Sequence, residues 1–132
     1  MLENKIKIIQ RNTLIDERGW FLKIINGKED DLPNFTGESY ITVAYPGKFK
    51  GGHYHNIANE WFTLIKGECI LEIIDIKTKE FLSINLNDNN HITIYIPSAI
   101  AHRFVNDSSK EFILHAYTDL LYDPKDTVLY EF

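Results

Sequence analysis

Apolar and polar residues alternate along this chain in short runs, and each run stops at turn-forming residues. In KIKIIQR, Lys5 and Lys7 alternate with Ile6 and Ile8, the two-residue period of a strand with one covered face. A DERG turn from Asp16 to Gly19 leads into the apolar run WFLKII, residues 20–25. The segment NGKEDDLPN, residues 26–34, is a polar excursion. Further strands are expected near residues 40–45, 60–66, 69–76, 80–86, 92–96, 102–105 and 111–119. Their breaks fall at Pro46-Gly47, Lys66-Gly67, residues 76–79, residues 87–90 and residues 106–109. The closing DPKDTVLYEF, residues 123–132, returns to an apolar pattern suited to pairing with another strand. Short strands with turns about every eight to twelve residues predict an all-β sandwich or barrel. No helical period, internal repeat or low-complexity tract interrupts this pattern.

Composition narrows the class. The 132 residues are 44% hydrophobic and 25% charged, which fits one globular domain over 1–132 burying roughly two thirds of its unfolded surface. The aromatic share of 13% favours β architecture and ring-walled pockets. A net charge of −5 with no Lys/Arg cluster argues against nucleic acid as a partner. Cys69 is the only cysteine, so no intrachain disulfide forms, as expected in a reducing cytoplasm. The opening MLENKIKIIQ has no signal-peptide core, and no run approaches a membrane span. The expectation is a soluble cytoplasmic protein with no membrane partner. Open strand edges in so small a sheet protein predict a homodimer, with residues 6–9 offered for exchange or edge pairing.

The chemistry concentrates in KFKGGHYHNIANEWFTLIKGE, where Gly47, His53, His55, Glu60 and Gly67 are spaced Gly-x5-His-x-His-x4-Glu-x6-Gly. Residues two apart on a strand share a face. The imidazoles of His53 and His55 therefore project together, and Glu60 lies past a polar turn on the next strand. Two imidazoles and a carboxylate form a facial ligand set for a divalent ion, and His102 in IPSAIAHRFVN offers a fourth ligand. Near the end, His115, Tyr117 and Asp119 share one strand face. That row is either solvent-facing or turned toward the histidines. His91, in NDNNH at a loop end, reads as a surface residue. Trp20, Trp61 and Phe62 read first as core or interface residues.

These spacings resemble the two sequence motifs of the cupin superfamily. The first matches at every defining position. The second is met by Pro97, His102 and Asn106, with His91 and Ala99 where the family usually has glycine. The resemblance implies a double-stranded β-helix, the cupin jelly roll, with a metal set of His53, His55, Glu60 and His102. Flanking stretches narrow it. IDERGWFLKI, KGGHYH and AYTDLLYDPKDTVLYEF resemble the sugar-nucleotide 3,4-ketoisomerases, the dTDP-4-dehydrorhamnose 3,5-epimerases and the cupin domain of capsular-sugar assembly enzymes. Glu60 departs from the first two groups, which commonly carry Gln or Lys there, and matches the third.

The resemblance implies an isomerase or epimerase of nucleotide-linked 4-keto-6-deoxyhexoses in bacterial polysaccharide or deoxysugar biosynthesis, working by histidine-based proton transfer. In the metal-free scheme His53 or His55 is the base, Asp119 orients the imidazole, and Tyr117 or His115 returns the proton. In the metal scheme zinc, nickel or iron sits on the four ligands and a group outside them moves the proton. Neither needs an organic cofactor. Lys50, Arg18, Tyr45, Phe62 and Arg103 are the expected substrate contacts, for a thymidine- or uridine-diphosphate sugar. A metal-dependent cupin dioxygenase and a non-catalytic sugar-binding cupin are the alternatives, because a fold does not fix a function.

Overall fold

The computed structural model describes residues 1–25 and 37–132, so the polar excursion at residues 26–34 lies outside the described residues. After one 3-10 turn at Leu2–Asn4, the described chain is built from strands. They are β1 Lys7–Gln10, β2 Thr13–Asp16, β3 Gly19–Leu22, β4 Glu38–Ala44, β5 Phe49–His55 and β6 Glu60–Lys66. There follow β7 Glu68–Asp75, β8 Phe81–Asn87, β9 Ile92–Ile96, β10 Ile100–Val105, β11 Phe112–Thr118 and β12 Thr127–Leu129. Two five-stranded sheets form, ordered β1-β9-β6-β11-β4 and β12-β5-β10-β7-β8, with β2-β3 as a separate hairpin. This is the all-β sandwich that the alternation predicted, in the jelly-roll form that the cupin resemblance implied. Among the described residues no helix is long and apolar enough to cross a membrane.

Period-two patterning decides what each strand contributes. On β11 the buried residues are Phe112, Leu114, Ala116 and Thr118, and the intervening side chains are only half covered. On β7, Cys69, Leu71, Ile73 and Asp75 alternate inward. The inner faces meet in one cluster in which Phe62, Leu64, Ile94 and Leu114 of the first sheet face Leu71, Ile73 and Phe104 of the second. The Phe62 and Phe104 rings lie 4.8 Å apart. Burying each such side chain contributes about 1.5–3 kcal/mol, and this cluster is the rigid floor beneath the histidines.

The hairpin corrects one expectation. His91 is buried rather than on the surface, at 7% exposure. Its Nδ1 meets Thr13 Oγ1 at 2.7 Å, its Nε2 lies 3.1 Å from the Ile65 carbonyl, and Trp20 packs 5.4 Å away. The polar ring serves as a peg that docks the hairpin, which no local pattern announces. The opposite side of the hairpin exposes Leu14 and Phe21, at 58% and 57%. Among the described residues the first strand, β1, is an edge strand of its sheet and pairs only with β9.

Candidate metal and proton-transfer site

The site begins with a distortion of β5. Gly51 has φ +91°, and a Cβ there would lie 2.8 Å from the His102 carbonyl oxygen. Only glycine permits that approach. The β5-β10 ladder slips between His102 and Arg103, the signature of a bulge, which re-aims neighbouring side chains. Beyond it His53 sits opposite His102. The imidazoles of His53 and His55 come within 5.0 Å, and those of His53 and His102 within 5.2 Å. The glycine pair also conceals β5 from a reading based on alternation. Ala99, which replaces a usual glycine, adopts φ +64° and donates its N–H to the His55 carbonyl at 2.7 Å. The turn keeps its left-handed residue without the glycine.

Glu60, at the start of β6, is 4% exposed and lies between two imidazoles. Its Oε1 is 3.0 Å from His55 Nε2 and 3.3 Å from His102 Nε2. The Nδ1 of His102 faces the Ile100 carbonyl at 3.2 Å. A carbonyl only accepts, so Nδ1 carries a proton, and Nε2 is the ring atom that faces the carboxylate. His55 Nε2 and Glu60 Oε1 are close yet misaligned for a hydrogen bond, and both are buried without one. Imidazole nitrogens converging on a buried carboxylate suit a cation. Ligand atoms of His53, His55 and Glu60 all lie within 4.8 Å of one another. The donor set therefore fits a divalent ion such as zinc, nickel or iron, with His102 beside it.

Charge follows the same geometry. Burial pulls the His53 pKa down to about 4, helped by the neighbouring His102 and His55. Burial also opposes charge on His55, but Glu60 and Asp126 outweigh it and raise its pKa. For Glu60 burial favours the neutral acid, while His102 and His55 win and hold it ionised. Tyr40 is 43% exposed at the cavity border, yet desolvation there, with the charges of Glu60 and Glu38, raises its pKa and keeps its hydroxyl protonated.

Two cavities flank the cluster, of about 220 and about 200 Å³, and His53 and Tyr40 line both. The larger is acidic, with Glu38, Glu60, Asp123 and Asp126 on its walls. The smaller is lined by Lys50, Phe62 and His102. Lys50 is the only lysine or arginine lining either cavity among the described residues.

The structure thus brings together His53, His55, Glu60, His102, Lys50 and Phe62, and separates the remainder. His115 and Tyr117 lie on the outer face of β11, which answers the open question about that row. His115 Nε2 meets Ser39 Oγ at 2.7 Å, and Tyr117 packs 5.6 Å from Trp61. Asp119 does not support an imidazole. Its carboxylate accepts both the backbone and side-chain N–H of Asn59, each at 2.9 Å. The carboxylate at a histidine is Asp126, with Oδ2 3.5 Å from His55 Nδ1 and its oxygens accepting the N–H groups of Ile57 and Ala58. Arg18 sits in the exposed hairpin turn, paired with Asp16 at 2.6 Å. Tyr45 is 67% exposed, beyond both cavities. Arg103 points away from His102, bonds Glu72 at 2.7 Å and lies over the Phe49 and Phe132 rings.

Comparison with known proteins places this geometry. The Polysaccharide biosynthesis C-terminal domain model matches residues 14–130. The chain is 24% identical over 125 residues to the spore coat polysaccharide biosynthesis protein SpsL of Bacillus subtilis (strain 168), covering 91% of this chain and 81% of that one. A dTDP sugar isomerase from Desulfovibrio desulfuricans G20 superposes with a TM-score of 0.87 at 15% identity, covering 96% of this chain and 83% of the other. A dTDP-6-deoxy-D-glucose-3,5-epimerase from Legionella pneumophila Philadelphia 1, in complex with dTDP-4-keto-L-rhamnose, superposes at 0.82 with 20% identity, over 95% and 72%. At these identities the superpositions establish a shared fold.

Proposed function

We propose, from the premise that this chain belongs to the Polysaccharide biosynthesis C-terminal domain family, that it is an isomerase or epimerase of nucleotide-linked 4-keto-6-deoxyhexoses. The observation that carries this reading is the junction itself, where His53 and Tyr40 border both cavities and Lys50 lines the smaller one. A 4-keto group acidifies the hydrogens on neighbouring carbons. Moving the carbonyl, or inverting a centre beside it, removes one such proton, leaves an enediolate, and returns a proton to a different position. His53 is suited to the first step. Its low pKa leaves the imidazole neutral with a free lone pair at ordinary pH. Tyr40 is suited to the second, because its hydroxyl stays protonated. Asp126 positions His55 from behind. The names of both superposed neighbours, a dTDP sugar isomerase and a dTDP-sugar epimerase, support a thymidine-diphosphate sugar as the ligand class.

The unpartnered His55 Nε2 and Glu60 Oε1 favour a second scheme, with a divalent ion held by His53, His55 and Glu60 and His102 beside it as the fourth ligand that the cupin resemblance implies. Such an ion, when bound, polarises the ketone and stabilises negative charge on its oxygen. His53 then has no lone pair to spare, and Tyr40 is the proton-carrying side chain left at the junction. Elemental analysis of protein purified without added metal separates the schemes. The activity is tested with 4-keto-6-deoxy sugars linked to thymidine or uridine diphosphate, incubated with protein in deuterated water. Deuterium should appear at a carbon beside the carbonyl, whichever product forms. If none appears with or without metal, the isomerase reading falls and a binding cupin replaces it; iron with oxygen consumption marks the dioxygenase instead.

Assembly as a homodimer belongs to the same proposal. The β2-β3 hairpin joins neither large sheet and exposes Ile15, Trp20, Leu14 and Phe21. An isolated two-stranded hairpin is marginal in water unless something covers it. Sedimentation giving only the 15.4 kDa chain at micromolar concentration would count against it.

A further inference from the structure

We infer that residues 121–125 form a hinged wall of the acidic cavity, opening and closing as one unit between two aspartate pins. The inference rests on reading that cavity as the ligand site. All five residues are exposed and none belongs to a strand, although Leu121, Tyr122 and Asp123 line the cavity. The wall is held at its ends. Before it, Asp119 takes two hydrogen bonds from Asn59 and donates its own N–H to the Asn59 carbonyl at 3.2 Å. After it, buried Asp126 takes the N–H groups of Ile57 and Ala58 and donates its N–H to the Asp123 carbonyl, closing a compact turn.

Both pins grip the same loop, residues 57–59, which joins the histidine strand to the Glu60 strand. Between them, the Tyr122 N–H donates to Glu38 across the cavity. No buried apolar side chain anchors the stretch. Leu121 is 67% and Tyr122 72% exposed at the cavity border. Few buried contacts and end-on polar attachment describe a segment of low local stability. Closure carries Leu121 and Tyr122 from water onto the ligand, which excludes solvent and strengthens the electrostatics inside.

The full chain is tested by 15N relaxation dispersion on the amides of 120–126, alone and with saturating thymidine diphosphate or uridine diphosphate. One shared exchange rate across the wall is expected in the free protein. Asn59→Ala removes the side-chain bond to Asp119 and the one that Asn59 accepts from the Ser98 N–H at 3.0 Å; the bond lost at the wall should raise the open population about fivefold, with the β11 amides unchanged. Nucleotide should suppress the process. Absent or residue-by-residue motion, indifference to Asn59→Ala, or a shared process that bound nucleotide leaves unaltered each overturns the wall. If calorimetry finds that neither nucleotide binds, the nucleotide-sugar reading falls. The free-protein measurements then decide the hinge by themselves.

Discussion

Two sets of titratable side chains lie on opposite sides of the same sheet, and their contrast shows where chemistry can reside in this fold. Inside, the imidazoles of His53, His55 and His102 crowd around one buried carboxylate, Glu60. Outside, His115 and Tyr117 face Ser39 and Trp61, and although His115 Nδ1 is also buried without a partner, among the described residues no carboxylate or cation bonds them and neither cavity reaches them. Residues 114 and 115 are neighbours in sequence, yet the pleat sends Leu114 to the smaller cavity and His115 to the far side. A residue type suited to proton transfer is not enough. Its partners must converge on the same volume.

The strongest test of this contrast removes an inner imidazole. His53→Asn should lower deuterium exchange into a keto sugar by about 10²–10⁴-fold, as a lost base or a lost ligand. Glu60→Gln should abolish retention of stoichiometric metal, read by elemental analysis. Retained metal would move the ion away from this cluster. Smaller, and specific to the support of the ring, is the effect of Asp126→Asn. It should cost about 10–100-fold in metal affinity or exchange rate, while Asp119→Asn costs less than that. The reverse order would restore Asp119 as the supporting carboxylate.

The pH response of chelator-treated protein comes next. The folded pKa of His53, about 4, lies below its ordinary 6.5, so the unfolded chain takes up this proton first. The stability that neutral His53 contributes is therefore complete above about pH 6.5 and is lost as pH falls toward 4. Thermal midpoints between those limits should decline less steeply in His53→Asn than in the parent chain. Equal slopes would mean that His53 is not buried as a neutral ring.

How much of this was legible in the sequence follows from which properties are local. Spacing is local. The His-x-His pair, Glu60 and His102 were readable because strand periodicity fixes which side chains share a face. The all-β class was readable from alternation and turn residues, and the jelly roll from the cupin resemblance. Asp126 and Tyr40 were not, because their place depends on β12 joining β5 and on which face of β4 turns inward. Parity put His115 and Tyr117 on one face of β11, but Asp119 lies past the end of that strand on Asn59, and parity names a face without saying where it points. Ala99 is an instructive middle case. Its left-handed φ shows that the glycine geometry survived the substitution, at a strain of about 1–2 kcal/mol. Ala99→Gly should recover up to about 1 kcal/mol of that, once the entropy of glycine is subtracted. A fall in the thermal midpoint would mean that Ala99 compensates through contacts of its own.

The smallest expected effect is the one most able to break the inner-outer contrast. Tyr117→Phe and His115→Asn alter groups that the cupin resemblance offered as proton donors. On the outer face neither can reach a sugar held between Tyr40 and His53. Both variants should exchange deuterium within about twofold of the parent, far below the loss of about 10²-fold or more that removing a proton-transfer group produces. Tyr40→Phe is the paired control, since it removes the hydroxyl bordering both cavities. A large loss in Tyr117→Phe with little in Tyr40→Phe would reverse the assignment. It would require the outer face to approach a reacting sugar, which within one chain the sheet itself prevents. Such a result would therefore place the active volume between two copies of the chain.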